Sequence, residues 1–192
     1  MEYIITPASR GIEPYAWWDG AFTEKQLDHL QNEAKKSGQE ATVGIGRDAP
    51  INESIRRSEL NWIPNSPETE GIFNTLGRVV SKLNAQWYGF DLVGFGERLQ
   101  LTNYDERKEG MYGWHQDFGA EVSRKLSVVV QLTDPSEYEG GNLELMASNV
   151  IKIKKQRGLI VVFPSWTLHQ VTPVVKGSRQ SLVAWISGPD FK

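Results

Sequence analysis

The pattern of short apolar runs in the second half of the chain constrains the fold more than any other feature. From about residue 92 onwards, runs rich in β-branched and aromatic residues alternate with turn-forming Gly, Pro, Asp and Ser. This spacing is typical of an all-β unit, and a jelly roll of two packed sheets would bury one face of each sheet. The predicted strands are Phe95–Tyr104, Lys125–Leu132, Asn142–Met146, Val150–Ile153, Leu159–Phe163, Leu168–Val171 and Gln180–Ile186.

The first half of the chain predicts two helices and an extended segment. Thr23 and Gln26 have the spacing of a capping box, and an apolar helical face follows them. Ser66 and Pro67 fit an N-cap and the first position of a second helix. Residues 39–61 are polar and contain several glycines, so we expect an extended, mobile segment there.

Two of the predicted strands have one apolar face and one mixed face. Side chains of a strand alternate between its two sides, so the faces are read directly from the sequence. The mixed face of the first strand carries Lys125, Ser127, Val129 and Gln131, and that of the second carries Arg179, Ser181, Val183 and Trp185. Such faces are either solvated or line a ligand pocket.

Composition excludes several classes of site. The chain has no cysteine, which removes disulfides, iron–sulfur clusters and a cysteine nucleophile, and it has three histidines. A net charge of −3 is a poor match to a phosphate backbone, so we expect no nucleic-acid partner. The sequence also has neither a signal-like leader nor an apolar stretch of about 20 residues, so we expect a cytoplasmic protein without membrane contact.

A small set of polar residues could bind a metal. His115 and Asp117 are two residues apart and point the same way in an extended segment. With His169 they form the two-histidine, one-carboxylate set that non-haem iron(II) oxygenases use. Each histidine alone is better interpreted as a partly buried structural residue. Arg179 favours the functional interpretation of the set, because a guanidinium on a mixed face is suited to a bidentate carboxylate.

These residues and their surroundings resemble the 2-oxoglutarate- and iron(II)-dependent oxygenases. The prolyl/lysyl hydroxylase branch is the more specific resemblance. It covers about residues 98–187 and is strongest in the segment Phe163–Val174, which is followed by Gly177-Ser178-Arg179 and Trp185. Tyr104, Gly110 and Tyr112 resemble that branch's lead-in to the metal motif, and Arg56-Arg57-Ser58 weakly resembles its Arg-x-Ser element.

The resemblance implies a double-stranded β-helix of the jelly-roll, cupin-like type in a single dioxygenase domain, residues 1–192. Residues 1–91 would form a helical support and lid region, and residues 92–192 the catalytic core. By this resemblance His115, Asp117 and His169 bind Fe(II), Arg179 pairs with 2-oxoglutarate, and Tyr104 lies near it. Gln131 stands where some relatives have a tyrosine that binds the cosubstrate. Arg57, Tyr112 and Trp185 are candidate substrate contacts.

The implied activity is hydroxylation of an unactivated carbon with O2, releasing succinate and CO2, with ascorbate as a reductant. The substrate expected from the branch is a prolyl residue of a peptide or protein. Two alternatives remain open, a hydroxylase of a free amino acid or other small molecule and a non-catalytic metal-binding jelly roll. A nucleic-acid demethylase is disfavoured because such enzymes carry a second arginine where this chain has Trp185.

Overall fold

Two β-sheets lie face to face in the computed structural model, which describes residues 11–36, 38–43, 51–118 and 123–190. In chain order the main elements are β1 (Ala16–Trp18), α1 (Glu24–Lys35), β2 (Gln39–Glu40), β3 (Arg56–Arg57), β4 (Glu59–Ile63), α2 (Glu70–Leu83), β5 (Gly94–Phe95), β6 (Leu99–Asp105), β7 (Met111–His115), β8 (Arg124–Gln131), β9 (Tyr138–Gly140), β10 (Leu143–Met146), β11 (Val150–Lys152), β12 (Ile160–Pro164), β13 (His169–Val171) and β14 (Val174–Ser187). A π-helical turn (Asn84–Tyr88) follows α2, and 3-10 turns precede β7 and β9.

The sheets form the predicted jelly roll. Among the described residues the larger sheet runs in the order β1-β12-β8-β14-β6-β4-β2, and β5 and β9 also pair with β14. The smaller sheet runs β11-β10-β13-β7-β3. Strands β1 to β4 come from the first half of the chain, so both sheets extend beyond the region where the sequence predicts strands.

The apolar side chains divide into two cores. The face of the larger sheet that carries Leu126, Val128, Leu182 and Ala184 packs against α1 and α2. A second core lies between the sheets and includes Phe163. The helices therefore cover one side of the larger sheet, and its mixed face is directed towards the smaller sheet.

Helix α1 begins as predicted, but α2 does not. Thr23 and Gln26 form the capping box of α1. Helix α2 begins after Thr69 rather than after Ser66. The Ser66 hydroxyl donates to Glu68, and its carbonyl accepts from the backbone of Thr69, so residues 66–69 form a turn before the helix. The predicted N-cap at Ser66 is therefore wrong.

The expectation of an extended, mobile segment over residues 39–61 is only partly met, because the described part is extended but is paired in the sheets. Residues 44–50 lie outside the described residues, but β2, β3 and the start of β4 fall within this range. These short strands pair with β4, β7 and β6 respectively. Backbone pairing at the sheet edges stabilises them without the apolar alternation that marks a strand in sequence.

Among the described helices, none is both long and apolar enough to cross a bilayer.

Strand β14 allows a test of the core. Leu182 is fully buried between the larger sheet and the helices, whereas Val175 on the same strand is 72% exposed. We expect Leu182→Ala to lower the free energy of unfolding by about 2–5 kcal/mol, because it leaves a cavity. Val175→Ala should change it by less than about 0.5 kcal/mol. Urea denaturation measures both, and equal midpoints for the two variants would contradict this core assignment.

Candidate active site

Two histidines and one aspartate meet at the end of the smaller sheet. His115 ends β7, His169 begins β13, and the two residues are paired across these strands. Asp117 follows β7, and its backbone N–H donates to the Ser165 carbonyl. Nε2 of His115 is 3.8 Å from Asp117 Oδ1, and Nε2 of His169 is 3.5 Å from Asp117 Oδ2. One donor atom from each residue lies within 4.8 Å of the others, so the three side chains could hold one metal ion.

Hydrogen bonds fix the orientation of both imidazole rings. Nδ1 of His115 is 2.7 Å from the Gly113 carbonyl, and Nδ1 of His169 is 2.9 Å from the Thr167 carbonyl. A carbonyl only accepts, so each Nδ1 carries the proton and donates it. Each Nε2 of the neutral ring is then an acceptor that faces Asp117. Backbone carbonyls commonly set the tautomer of metal-binding histidines in this way.

The protonation states suit a metal. Burial lowers the pKa of His115 well below its usual range, and the neighbouring His169 lowers it further. Burial alone would raise the pKa of Asp117. The two histidines, the Ser127 hydroxyl and the Trp185 indole together hold it below its ordinary value. A neutral imidazole and an ionised carboxylate are the forms that coordinate metal.

The triad lies in a cavity of about 230 Å³ between the two sheets. The mixed face of β14 supplies four lining residues: Arg179, Ser181, Val183 and Trp185. The mixed face of β8 supplies Val129, and Ser127 on the same face donates to Asp117 Oδ2 at 2.6 Å. The mixed face of β14 therefore lines a pocket, and the mixed face of β8 is buried rather than solvated.

Arg179 is the most unusual residue of the cavity. Its side chain is 1% exposed, and within the described ranges its guanidinium nitrogens make no well-formed hydrogen bond, although the Tyr138 hydroxyl is close enough to interact with them. The Tyr104 ring, which also lines the cavity, lies 5.5 Å from the guanidinium carbon. A buried, unpaired cation is costly, so this arrangement fits a cavity built for a ligand with a carboxylate. The donor set therefore fits both Fe(II) and 2-oxoglutarate.

Two of the candidate substrate contacts lie beside the triad. The Tyr112 ring stacks on His115, with centroids 3.4 Å apart and planes 13° from parallel. Trp185 lines the cavity near Asp117. Both residues are in position to touch a substrate that approaches the metal ligands.

Arg57 is placed differently, and its neighbour Arg56 occupies the cavity instead. Adjacent residues of β3 point to opposite sides. The Arg57 guanidinium donates to the Glu109 and Glu53 carbonyls and does not line the triad's cavity. Arg56 lines the cavity, donates from Nε to the Ser58 hydroxyl and lies 4.4 Å from the centre of the Tyr112 ring.

Gln131 does not reach the cavity either. Its amide donates to the Lys154 carbonyl at 2.6 Å, and it is not among the lining residues. The resemblance placed Gln131 beside the cosubstrate, but in the structure its side chain is held outside the cavity by the Lys154 carbonyl.

The sequence did not indicate Arg124, a further residue of the cavity. Arg124 forms two hydrogen bonds of 2.7 Å with the Glu97 carboxylate, and its guanidinium carbon lies 4.0 Å from the centre of the Trp185 ring. It also donates to the Asp117 carbonyl at 3.2 Å. Strict alternation would put Arg124 on the core face with Leu126. The register between β8 and β14 shifts at this point, so Arg124 faces the cavity.

Comparisons with known proteins agree with this fold and identify the family. Residues 99–187 match the family model of the 2OG-Fe(II) oxygenase superfamily. A PKHD-type hydroxylase of Synechococcus sp. (strain CC9311) is 32% identical over 174 residues, which cover 88% of this chain and 74% of that protein. The chain belongs to the 2OG-Fe(II) oxygenase superfamily and is a prolyl hydroxylase-like member of it. It is therefore an enzyme that depends on Fe(II), 2-oxoglutarate and O2, and the non-catalytic alternative is set aside.

Solved structures show the same fold. A prolyl hydroxylase from Trichoplax adhaerens, in complex with a hypoxia inducible factor peptide fragment, superposes with a TM-score of 0.75 at 17% identity. The match covers 91% of this chain and 84% of that one. A Pseudomonas putida prolyl-4-hydroxylase superposes with a TM-score of 0.70 at 20% identity, covering 92% and 94% of the two chains.

The triad predicts one metal ion per chain. We expect His169→Ala to weaken metal binding by more than about tenfold, because two remaining ligands cannot fix the ion. His29→Ala is the matched control, since His29 is exposed on α1. Calorimetric titration with Mn(II), a redox-stable substitute for Fe(II), measures both variants. Unchanged Mn(II) affinity in His169→Ala would show that the metal lies elsewhere.

Proposed function

We propose that this enzyme hydroxylates a prolyl residue of a peptide or protein and releases succinate and CO2. One observation carries the 2-oxoglutarate chemistry. Arg179 is fully buried, makes no well-formed hydrogen bond among the described residues and shares a cavity with the His-Asp-His set. The prolyl substrate is supported by structural neighbours that are prolyl hydroxylases, one of them in complex with a peptide fragment.

In this proposal His115, Asp117 and His169 hold Fe(II), and Arg179 binds the distal carboxylate of 2-oxoglutarate. Tyr104 lies beside Arg179 in the same cavity and contacts the cosubstrate there. Bound Fe(II) and 2-oxoglutarate would supply the chemistry that activates O2: one oxygen atom would enter a C–H bond of the substrate, and the other would enter succinate as 2-oxoglutarate loses CO2.

The protein's own side chains position the reactants and exclude water. The Ser127 hydroxyl holds Asp117 Oδ2, and the backbone carbonyls of Gly113 and Thr167 fix the rings. Trp185 presents an aromatic surface next to the triad, which suits the packing of a pyrrolidine ring. The faces of the Tyr112 ring are covered by His115 and Arg56, so its ring edge and hydroxyl are the parts left for a substrate. With the metal ligands held in this way, a substrate packed beside them would have its target carbon placed next to the metal and would displace water from the cavity.

The surroundings of the cavity favour a chain-like substrate. Trp62 and Glu97 line both the cavity and an open groove of about 570 Å³ that continues past Asn65 and Gly96. The Trp62 side chain is 40% exposed there. A peptide whose target residue occupies the cavity could extend along this groove, whereas a free amino acid would leave it unused.

One observation favours a second candidate, a hydroxylase of a free amino acid. The Arg56 guanidinium lies in the cavity beside neutral groups, the Ser58 hydroxyl and the Tyr112 ring. Such a cation could bind the α-carboxylate of a small substrate. Tests of the substrate must therefore compare peptides with free amino acids.

Arg179 provides a test of the cosubstrate site. We expect Arg179→Ala to weaken 2-oxoglutarate binding by more than about 100-fold, because removal of one partner of a buried pair costs about 3–5 kcal/mol. Mn(II) binding should remain, because Arg179 does not touch the triad. Arg179→Lys should recover part of the affinity, since it keeps the charge but loses the planar fork. Equal 2-oxoglutarate affinity of wild type and Arg179→Ala, by calorimetry on the Mn(II) protein, would reject this role.

The substrate is tested by mass spectrometry on a library of proline-containing peptides, with free proline and other free amino acids assayed in parallel. We expect a peptide to gain one oxygen atom with an equal amount of succinate. Trp62→Ala should lower kcat/KM for a long peptide by about threefold to tenfold, because one aromatic contact is lost. Trp17→Ala is the control, since Trp17 is an exposed tryptophan on β1, away from the cavity.

Turnover of a free amino acid, with no peptide hydroxylated, would reject the peptidyl substrate and leave the oxygenase assignment standing. An equal effect of Trp62→Ala and Trp17→Ala would reject the groove as a part of the substrate path.

A further inference from the structure

Three side chains meet where β9 pairs with β14: Tyr138, Lys155 and Arg179. Tyr138 begins β9 and lies opposite Gly177 of β14, two residues before Arg179. A methyl group on Gly141, which follows β9, would lie 3.1 Å from Arg179 Cδ and 3.3 Å from Tyr138 Cε2. The stem of Arg179 and the ring of Tyr138 are therefore packed against the same stretch of backbone.

Lys155 connects to this group from the segment after β11. Its ammonium donates to the Gly140 carbonyl at 2.5 Å and lies 4.1 Å from the centre of the Tyr138 ring. The same side chain therefore contacts both the end of β9 and the face of Tyr138. These contacts hold the Tyr138 ring in place beside Arg179.

Electrostatic effects agree with this proximity. Burial lowers the pKa of Lys155, and the positive charges of Lys152 and Arg179 lower it further, whereas Glu139 acts in the opposite direction. Burial raises the pKa of Tyr138, while the charge of Arg179 and a hydrogen-bonding interaction with its guanidinium act to lower it. Arg179 therefore acts on both side chains, and the charge of Lys155 lies behind the part of the cavity wall that Arg179 forms.

We propose that Tyr138 and Lys155 are positioning residues for 2-oxoglutarate that act through Arg179. Tyr138 limits the positions open to the guanidinium, so the fork is already directed at the distal carboxylate before the cosubstrate binds. Lys155 fixes Tyr138 and adds a second positive charge to the field that attracts this carboxylate. The proposal rests on the proposed role of Arg179 and adds two residues that neither line the cavity nor touch the metal ligands.

A pair of ligands separates this role from general structural damage. 2-Oxoglutarate and 2-oxopentanoate share the 2-oxo acid group, but the second ligand lacks the distal carboxylate. A residue that acts through Arg179 affects the first ligand and not the second. A residue that only supports the fold affects both.

The experiment titrates each ligand into the Mn(II)-loaded full chain by calorimetry. We expect Lys155→Met to weaken 2-oxoglutarate by about threefold to tenfold and 2-oxopentanoate by less than about twofold. Lys155→Arg keeps the charge and should restore 2-oxoglutarate affinity to within about twofold of wild type. Lys152→Met is the matched control, because Lys152 is a nearby exposed lysine on β11, and both of its affinities should stay at the wild-type level.

Tyr138→Leu removes the ring and should weaken 2-oxoglutarate selectively, as Lys155→Met does. Unchanged 2-oxoglutarate affinity in Lys155→Met and Tyr138→Leu would overturn the proposal, and so would an equal loss of affinity for both ligands. In either case, 2-oxoglutarate binding by the wild-type protein would leave the proposed function intact. A wild-type protein that does not bind 2-oxoglutarate would overturn the proposed function itself, and this assignment with it.

Discussion

The fold and the site both depend on strand β14, which is paired along most of its length. It hydrogen-bonds to β8 on one side and to β6 on the other, and its ends also pair with β9 and β5. Leu182 and Ala184 on one face belong to the core beneath the helices. Arg179 and Trp185 on the other face line the cavity. Because neighbours on both edges fix the backbone, burial of the apolar face also determines where the functional face points.

The sequence predicted those features that depend on local alternation. The faces of β8 and β14 follow from a period of two, and the pair of His115 and Asp117 follows from the same rule. His115 and Asp117 come together with His169 because β7 pairs with β13. The spacing of these residues along the sequence does not predict that pairing. The resemblance to an oxygenase family supplied that step, and the geometry agrees with it.

The features that the sequence missed depend on interruptions of local rules. Arg124 faces the cavity because the register between β8 and β14 shifts beside it. Ser66 does not cap α2 because a four-residue turn uses its polar groups first. Tyr138 comes close to Arg179 because β9 joins the end of β14, a tertiary contact without a signature in either segment. A shift, a competing hydrogen bond and a distant pairing are each invisible to hydrophobic periodicity.

The arginines of the cavity can be matched with the negative charges that balance them. The charge of Arg124 is balanced by Glu97. Asp117 lies beside the two histidines, where a bound metal ion would balance its charge. Arg179 faces the place where a dianionic cosubstrate would end, so these charges are balanced in the loaded enzyme. Arg56 is then the remaining cation of the cavity, and among the described residues its side chain is held by the Ser58 hydroxyl and lies over the Tyr112 ring. Because a guanidinium can bind both carbonyl oxygens and carboxylates, Arg56 is a side chain at which the binding of a peptide and that of a free amino acid would differ.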